Sequence, residues 1–283
     1  MTIPEPPALP GAELRRVQAG DTGHAETWGI AVESPVQITI NGNPWTVQLA
    51  TPADLADLAI GLAVTERLIP DAGAVREVQV STFLQDVTVD LRVDEARLDR
   101  SAMPVRAMPA GTACGLCGLE SLAALHARQD RSRTESPQTG DSALIPDIGD
   151  SALDRAFAEL PGLQPLNART RSVHAAAWCA PDGAILLVRE DVGRHNALDK
   201  LVGALAQSGR LSQPGFVVMS SRCSFELVQK ASVTGARLLA TVSAPTSMAL
   251  QWAEALGLPL ACRAGGNGVR RFVRFRRGDA GAP

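Results

Sequence analysis

The chain has 283 residues, of which 45% are hydrophobic and 20% are charged, and its formal net charge is −3. This balance is ordinary for a globular protein, and the length favours one main domain with a smaller lobe. The near-neutral charge argues against a general nucleic-acid-binding protein, and no apolar run reaches the ~20 residues that a membrane helix requires. Any basic function must therefore come from a local patch.

The sequence also favours a cytoplasmic location. Its first residues, MTIPEPPALPGAELRR, contain prolines and acids where a signal peptide has a basic flank and an apolar run. The chain has 5 cysteines, an odd number, which we interpret as reduced thiols in a cytoplasm. With no tyrosine and few other aromatic residues, the core is expected to be aliphatic and rich in alanine.

A flexible N-terminus is predicted over residues 1–24, and a smaller α+β lobe over 25–110. Within this lobe, Asn41-Gly42 predicts a hairpin between IAVESPVQITI and WTVQL, because a tight turn needs positive φ. Apolar residues three and four apart in TPADLADLAIGLAVTERLI predict a helix, with Thr51 as its N-cap and Pro52 in its first turn. Alternating residues in REVQV and DVTVDLRV predict two further strands.

An α/β domain is predicted over residues 111–277. It begins with a mobile segment, 111–142, that contains two cysteines, a predicted helix at GLESLAALHA and a polar linker over 128–142. A helix is predicted at SALDRAFAEL, and from about Ser172 strand patterns alternate with helix patterns. This alternation predicts layers of helices around a largely parallel sheet.

Cys114 and Cys117 lie in the glycine-flanked stretch GTACGLCGLESL. A structural zinc site needs a second pair of ligands, whereas Cys179, Cys223 and Cys262 are single and are interpreted as small buried hydrophobes. A thioredoxin-like motif should follow a strand, and no strand pattern precedes this one. The glycines and the following helix N-terminus favour a reactive thiolate, hence a nucleophile or sulfur carrier, while a structural role of the CxxC pattern stays open.

A dense polar motif, REDVGRHNALDK, separates a predicted strand from a predicted helix. Asn196 is predicted to cap this helix in a capping-box arrangement with Asp199, three residues later. Capping alone would leave the basic residues of the motif as solvated charges. Polar clusters that follow a strand and begin a helix bind anions in α/β folds, which favours a functional role. The predicted ligand-binding residues here are Gly193, Arg194, His195 and Asn196.

Two further turns, SSRCSFE and SAPTS, have the same design of a strand end followed by a helix start. In the first, Arg222 is a candidate clamp for a phosphate that also contacts Ser224 and the helix amides. Helix capping explains each of these turns equally well when it is taken alone. Three such turns at one end of one sheet would converge on a single crevice.

The final segment is rich in glycine and arginine, with six arginines and no acid between residues 263 and 277. A solvated strand face and a loop that wraps an anionic ligand explain this composition equally well. If the loop binds a ligand, the predicted binding residues are Cys262, Arg263, Ala264, Gly265, Gly266 and Asn267.

With CGLCG, EDVGRHNALDK, SSRCSFELVQKA and VSAPTSMALQWA in this order, the chain resembles the FdhD family of formate dehydrogenase accessory sulfurtransferases from about residue 26 to 275. The resemblance implies a three-layer α/β/α sandwich similar to that of cytidine deaminases. It also implies that Cys114 accepts sulfur from a cysteine desulfurase as a persulfide, with Cys117 assisting or resolving. The recipient would be the molybdenum cofactor, a bis(molybdopterin guanine dinucleotide), which then enters formate dehydrogenase. The family further suggests a homodimer without a permanent metal.

The chain departs from the family pattern at three places. Leu119 stands where a lysine is frequent, Cys262 stands where an aromatic residue is usual, and the glycine loop over 264–268 is longer than expected. Two alternatives remain, namely a carrier that only binds and protects the cofactor, and a zinc-stabilised binding module. Deamination is disfavoured, because zinc deaminases need H-x-E and P-C-x-x-C, and here Ala176 and Ala113 replace the glutamate and the proline.

Overall fold

A computed structural model describes residues 10–19, 24–83, 86–103, 148–211, 213–264 and 271–275 of the chain. Cys114 and Cys117, the helix predicted after them and the linker over 128–142 lie outside these residues. So do residues 1–9 and 20–23 of the predicted flexible N-terminus, whereas its residues 12–19 form a strand. In the part of the chain that the structure describes, no helix is long and apolar enough to cross a bilayer.

The first described strands pair into an antiparallel ribbon, and the next ones form a four-stranded sheet in the order β4-β3-β6-β5. In the sheet, β3 and β6 run parallel and the other neighbours are antiparallel. The ribbon consists of β1 (Ala12–Ala19) and β2 (His24–Ala31), and the sheet of β3 (Ser34–Ile40), β4 (Asn43–Ala50), β5 (Val75–Phe83) and β6 (Asp86–Val93).

The predicted hairpin between β3 and β4 is confirmed. Asn41 and Gly42 form its turn with φ angles of 51° and 79°. Both angles lie in the left-handed region that asparagine and glycine tolerate, and that a two-residue hairpin turn requires. The strands predicted at REVQV and DVTVDLRV correspond to β5 and β6 and are confirmed as well.

Helix α1 (Leu55–Thr65) packs against this sheet, but it begins later than expected. The residue at its N-cap position is Asp54, with φ 51° and no capping hydrogen bond from its side chain. The prediction that Thr51 caps this helix is therefore wrong. Thr51 is fully buried and its polar groups bond to the other half of the molecule, because tertiary partners displace the local cap.

The larger part of the molecule is built around a six-stranded sheet in the order β12-β11-β10-β9-β7-β8. Its strands are β7 (His174–Cys179), β8 (Ile185–Asp191), β9 (Phe216–Met219), β10 (Leu239–Thr241), β11 (Leu260–Ala264) and β12 (Arg271–Phe275). Strands β9, β10 and β11 are parallel, whereas β7 is antiparallel to both of its neighbours and β12 to β11. The expected largely parallel sheet is thus a mixed one, because β7 and β12 run opposite to the other four strands.

Helices cover both faces of the six-stranded sheet, which confirms the α/β/α sandwich. On one face, Ala175, Ala177 and Cys179 pack with α2 (Asp150–Glu159). On the other face, Ala176 and Trp178 pack with residues of the later helices. The remaining helices are α3 (Pro165–Thr170), which contacts the ribbon, and α4 (Arg194–Gln207), α5 (Phe225–Ser232) and α6 (Ser247–Leu256).

The four-stranded lobe joins the sandwich where α1 crosses α4. Gly61 of α1 lies against the carbonyl oxygen of Asp199, and Gly203 of α4 lies against that of Asp57, so that a Cβ at either glycine would overlap backbone atoms. Buried residues of both sheets, of α1 and of α4 belong to one continuous hydrophobic cluster. The lobe is therefore fixed against the sandwich by backbone-to-backbone contact.

Candidate functional site

Three helices of the sandwich begin at one edge of the six-stranded sheet. Strands β8 to β11 run in the same direction, because β7 is antiparallel to both β8 and β9. Their carboxyl ends therefore meet at one edge, where α4, α5 and α6 follow β8, β9 and β10. The turns are bonded to one another, since Ser243 N donates to Ser221 O (3.4 Å) and Thr246 N donates to Cys223 O (3.1 Å). We call this edge the strand-end site.

The first turn of α4 is organised by the buried carboxylate of Asp191. Gly193 is the N-cap residue, and its N–H donates to Asp191 Oδ1 over 2.8 Å. Asn196 Nδ2 donates to the same oxygen (3.1 Å) and to Leu49 O (2.7 Å). Among the described residues, no side chain caps α4, so the predicted capping box is wrong. Asn196 lies inside the helix instead, and its amide connects the helix to β4.

A buried ion pair between Lys200 and Asp191 stabilises this turn. Lys200 Nζ lies 2.7 Å from Asp191 Oδ2, and both side chains are 0% exposed. Lys200 also donates to Thr51 O (3.0 Å), and Thr51 N donates to Asp191 Oδ2 (3.0 Å). The hydroxyl of Thr51 in turn accepts from Val192 N (3.1 Å). The segment before α1 and the turn before α4 are therefore held by one network.

His195 faces two polar groups of the next helix start. Its Nε2 lies 3.3 Å from Ser224 Oγ and 3.7 Å from Glu226 Oε2. Ser224 is the N-cap residue of α5, but its side chain makes no capping bond there. Burial raises the pKa of Glu226, but the hydrogen bonds from His195, its own backbone N–H and Ser224 outweigh burial and lower it. A carboxylate, a hydroxyl and an imidazole thus meet beside the first turn of α4.

His174, at the start of β7, also reaches this edge, and it pairs with Asp191 across the β7–β8 ladder. Burial is the main cause that lowers the pKa of His174, and the nearby positive charges of Arg194 and His195 lower it further. The neutral form of His174 is therefore favoured at the strand-end site. Sequence patterns did not indicate this histidine, because it lies fifteen residues before the motif that it joins.

The other two turns differ in their exposure. Arg222 projects into solvent after β9, and no described residue forms an ion pair with it. Thr246 caps α6, because its hydroxyl accepts from Ala249 N over 3.2 Å. The strand-end site therefore has two properties that suit an anionic ligand, namely helix N-termini and basic side chains.

The residues predicted for the glycine-rich segment are only partly described. Cys262 and Ala264 belong to β11, whose carboxyl end reaches the same edge, and Arg263 between them is partly exposed. The side chain of Cys262 is 5% exposed, and burial raises its pKa. Gly265, Gly266 and Asn267 lie outside the described residues, as do Cys114 and Cys117. Their predicted roles stay predictions.

The single cysteines of the described part are poor nucleophiles. Cys179 and Cys223 are buried, and burial raises the pKa of each to about 12. Cys223 lies directly beside the exposed Arg222, so exposure changes abruptly within one turn. The prediction that Cys179, Cys223 and Cys262 are buried is confirmed.

Comparison with known proteins gives a consistent result. The profile of the FdhD/NarQ family matches residues 31–277. A relative from Variovorax paradoxus (strain S110), named "Sulfur carrier protein FdhD", is 43% identical over 265 residues, which cover 92% of this chain and 91% of the relative. A protein of the same name from Xanthomonas campestris pv. campestris (strain B100) is 39% identical, with 91% and 89% covered.

A solved structure shows the same fold. It comes from Desulfotalea psychrophila and is named for an accessory role to formate dehydrogenase. Its TM-score is 0.67 at 19% identity, and the match covers 95% of this chain and 99% of that one.

Proposed function

Because the chain belongs to the FdhD/NarQ family, we propose that it is a cytoplasmic sulfurtransferase that serves formate dehydrogenase. It takes sulfur from a cysteine desulfurase, carries it on Cys114, and delivers it to the molybdenum cofactor in its bis(molybdopterin guanine dinucleotide) form. The observation that carries this proposal is the high identity, over most of the chain, to proteins named as sulfur carriers. We further propose that the chain acts as a homodimer.

The sulfur-loading step uses the chemistry of a thiolate. The Cys114 thiolate attacks the terminal sulfur of the desulfurase persulfide, a new S–S bond forms, and the donor cysteine leaves as a thiolate. In the release step, the Cys117 thiolate attacks Cys114 Sγ and the terminal sulfur leaves as hydrosulfide for the cofactor. The two cysteines then share a disulfide, whose formation supplies the two electrons that reduce the sulfur. A cellular thiol restores the dithiol before the next cycle.

The strand-end site supports the proposed recipient. The cofactor is a substrate that contains two molybdopterin guanine dinucleotides, each of which has a negatively charged pyrophosphate. Helix α4 begins at this site without a side-chain cap among the described residues, and Arg194, His195 and Arg222 are the basic groups beside it. Backbone N–H groups at a helix start and charge-assisted bonds from arginine are the usual protein ligands of phosphate.

Mass spectrometry tests the loading step directly. The protein is incubated with a cysteine desulfurase and cysteine, and its intact mass is measured. We expect an addition of about 32 Da, one sulfur, on Cys114, which a reducing thiol removes. The Cys114→Ala variant should gain no sulfur, while Cys262→Ala serves as the matched control and should load normally. Absence of added sulfur in the wild type contradicts the proposal.

A second candidate function is a carrier that binds and protects the cofactor without sulfur chemistry. Among the described residues, the groups that suit nucleotide phosphates lie in the turns after β8 and β9, and the cysteine there, Cys223, is buried. This arrangement supports binding of the cofactor without sulfur chemistry. Activation of formate dehydrogenase by Cys114→Ala separates the two. A sulfurtransferase loses activation with this variant, whereas a pure carrier retains it.

A further inference from the structure

Glu226 is a buried carboxylate at the strand-end site with no role in the function proposed above. It lies in the first turn of α5 and is 4% exposed. A carboxylate so deep in a protein needs a partner, because burial strongly disfavours an uncompensated charge. Its nearest basic group among the described residues is His195, which begins the neighbouring helix.

The geometry of His195 distinguishes its two ring nitrogens. Both polar neighbours, Ser224 Oγ at 3.3 Å and Glu226 Oε2 at 3.7 Å, face Nε2. No described residue hydrogen bonds to the other ring nitrogen, Nδ1. A nitrogen that faces a carboxylate is the one that retains the hydrogen, and the other is then an acceptor in the neutral ring and a donor in the imidazolium.

The remaining charged groups around His195 come from its own helix and from two strands. Arg194 precedes it in α4, His174 lies at the start of β7, and Asp191 ends β8. Asp191 forms an ion pair with Lys200. His174 and Arg194 are basic, so neither can be a counterion to a protonated His195. Within the described part of the chain, Glu226 is therefore the carboxylate that compensates a proton on His195.

We propose that Glu226 is a positioning residue for His195. Its carboxylate holds a hydrogen on Nε2, so that Nδ1 is presented to the ligand, and it stabilises the imidazolium that donates from Nδ1 to a phosphate oxygen. The ligand is the diphosphate group of a guanine nucleotide, and in this respect the inference rests on the function proposed above. The arrangement makes anion binding at this edge depend on a buried group that does not touch the ligand.

Imidazole ¹⁵N chemical shifts test the first half of this inference without any ligand. In the wild type we expect neutral His195 to have its hydrogen on Nε2. In Glu226→Gln, the Nε2 hydrogen loses its carboxylate partner, so we expect a larger share of the neutral ring to carry its hydrogen on Nδ1. Glu254→Gln is the matched control, because Glu254 is an exposed carboxylate on α6, and it should leave this share unchanged. A hydrogen on Nδ1 in the neutral wild type, or an identical share in Glu226→Gln, overturns the inference.

Binding of GDP tests the second half. We expect Glu226→Gln to weaken GDP binding about tenfold at neutral pH. In a His195→Ala background, Glu226→Gln should have no further effect. An equal loss in both backgrounds would show a merely structural role and contradict the inference. If the wild type does not bind GDP at all, the proposed function is at fault, and the ¹⁵N measurement still decides the role of Glu226.

Discussion

The motif over residues 189–200 has two regions whose charged side chains differ in burial. At the start of α4, Arg194 and His195 lie at a sheet edge beside a partly exposed turn. One to two turns later, Asp199 and Lys200 are buried, Asp199 against α1 and α5 and Lys200 against the end of β8 and the segment before α1. The same density of charge therefore forms a candidate binding site at one end of a helix and a structural frame further along it.

The frame consists of two buried ion pairs at the two ends of α1. Before α1, Asp191 and Lys200 enclose Thr51. At the end of α1, the Thr65 hydroxyl donates to Asp199 (2.7 Å), and Lys230 lies 2.8 Å from the same carboxylate. Each lysine thus joins the four-stranded lobe to the sandwich. Such pairs add little net stability, but removal of one partner is costly, which is how they specify a single arrangement.

The largest effect we expect is the difference in thiol reactivity of Cys223 and Cys179 between the native and the denatured protein. Burial raises the pKa of Cys223 to about 12, so at pH 8 its thiolate fraction is about 10³-fold below that of an ordinary thiol. Alkylation of the native protein should therefore leave Cys223 and Cys179 unlabelled, while denaturation exposes all 5 cysteines. Peptide mapping by mass spectrometry measures this. Rapid labelling of Cys223 in the native protein would contradict its burial at the strand-end site.

The next effect comes from removing one partner of a buried ion pair in the frame. Lys200→Met leaves the Asp191 carboxylate buried without its cation, and we expect a loss of about 3–5 kcal/mol in the free energy of unfolding. Urea denaturation measures the loss. The double variant Asp191→Asn with Lys200→Met should recover part of it, and Arg222→Ala, an exposed cation, should cost less than about 0.5 kcal/mol. A cost below about 1 kcal/mol for Lys200→Met would contradict the assignment of this pair to the frame.

A smaller effect is expected from the helix crossing that holds the frame together. In Gly61→Ala, the new Cβ overlaps the carbonyl oxygen of Asp199, so α1 and α4 must separate. We expect a loss of about 1–3 kcal/mol in unfolding free energy. Gly162→Ala is the matched control, since nothing lies within 4 Å of a Cβ there, and it should be close to neutral. Equal stability of the two variants would argue against backbone contact at the crossing.

The smallest effect concerns the pH dependence of stability at the site itself. Because the folded-state pKa of Glu226 is lowered, its carboxylate stabilises the fold above the ordinary value of 4.5, and this contribution is lost as the pH falls through the folded-state value. Glu226→Gln should therefore be about 1 kcal/mol less stable than the wild type at neutral pH, with a smaller difference near pH 3. Urea titrations at both pH values measure this. A constant difference would indicate loss of packing instead of charge.

Local patterns predicted those features that depend on neighbouring residues. Asn41-Gly42 marked the hairpin because both residues tolerate positive φ, and this property belongs to the two residues themselves. Thr246 was correctly placed at a helix start, because its hydroxyl reaches an amide three residues on. The same reasoning failed for Thr51 and Asn196, since each found stronger partners more than a hundred residues away.

The candidate site shows the same division. The motif at 193–196 and the turn containing Arg222 and Ser224 were recognisable, because dense polar residues between a strand and a helix are informative without coordinates. Glu226 and His174 were missed as members of the site. Glu226 looked like an ordinary acidic residue in the first turn of a helix, and His174 like an ordinary residue of a strand. Their position beside His195 follows only from the order of strands in the sheet.

The sequence by itself determined the family, most of the described helices and strands, and the candidate motifs, because these depend on residue type and spacing along the chain. Tertiary structure alone decided which charges of one motif became frame and which became site. That choice depends on burial and on distant partners, since a charge enclosed with its counterion is fixed, whereas one at a sheet edge stays partly exposed.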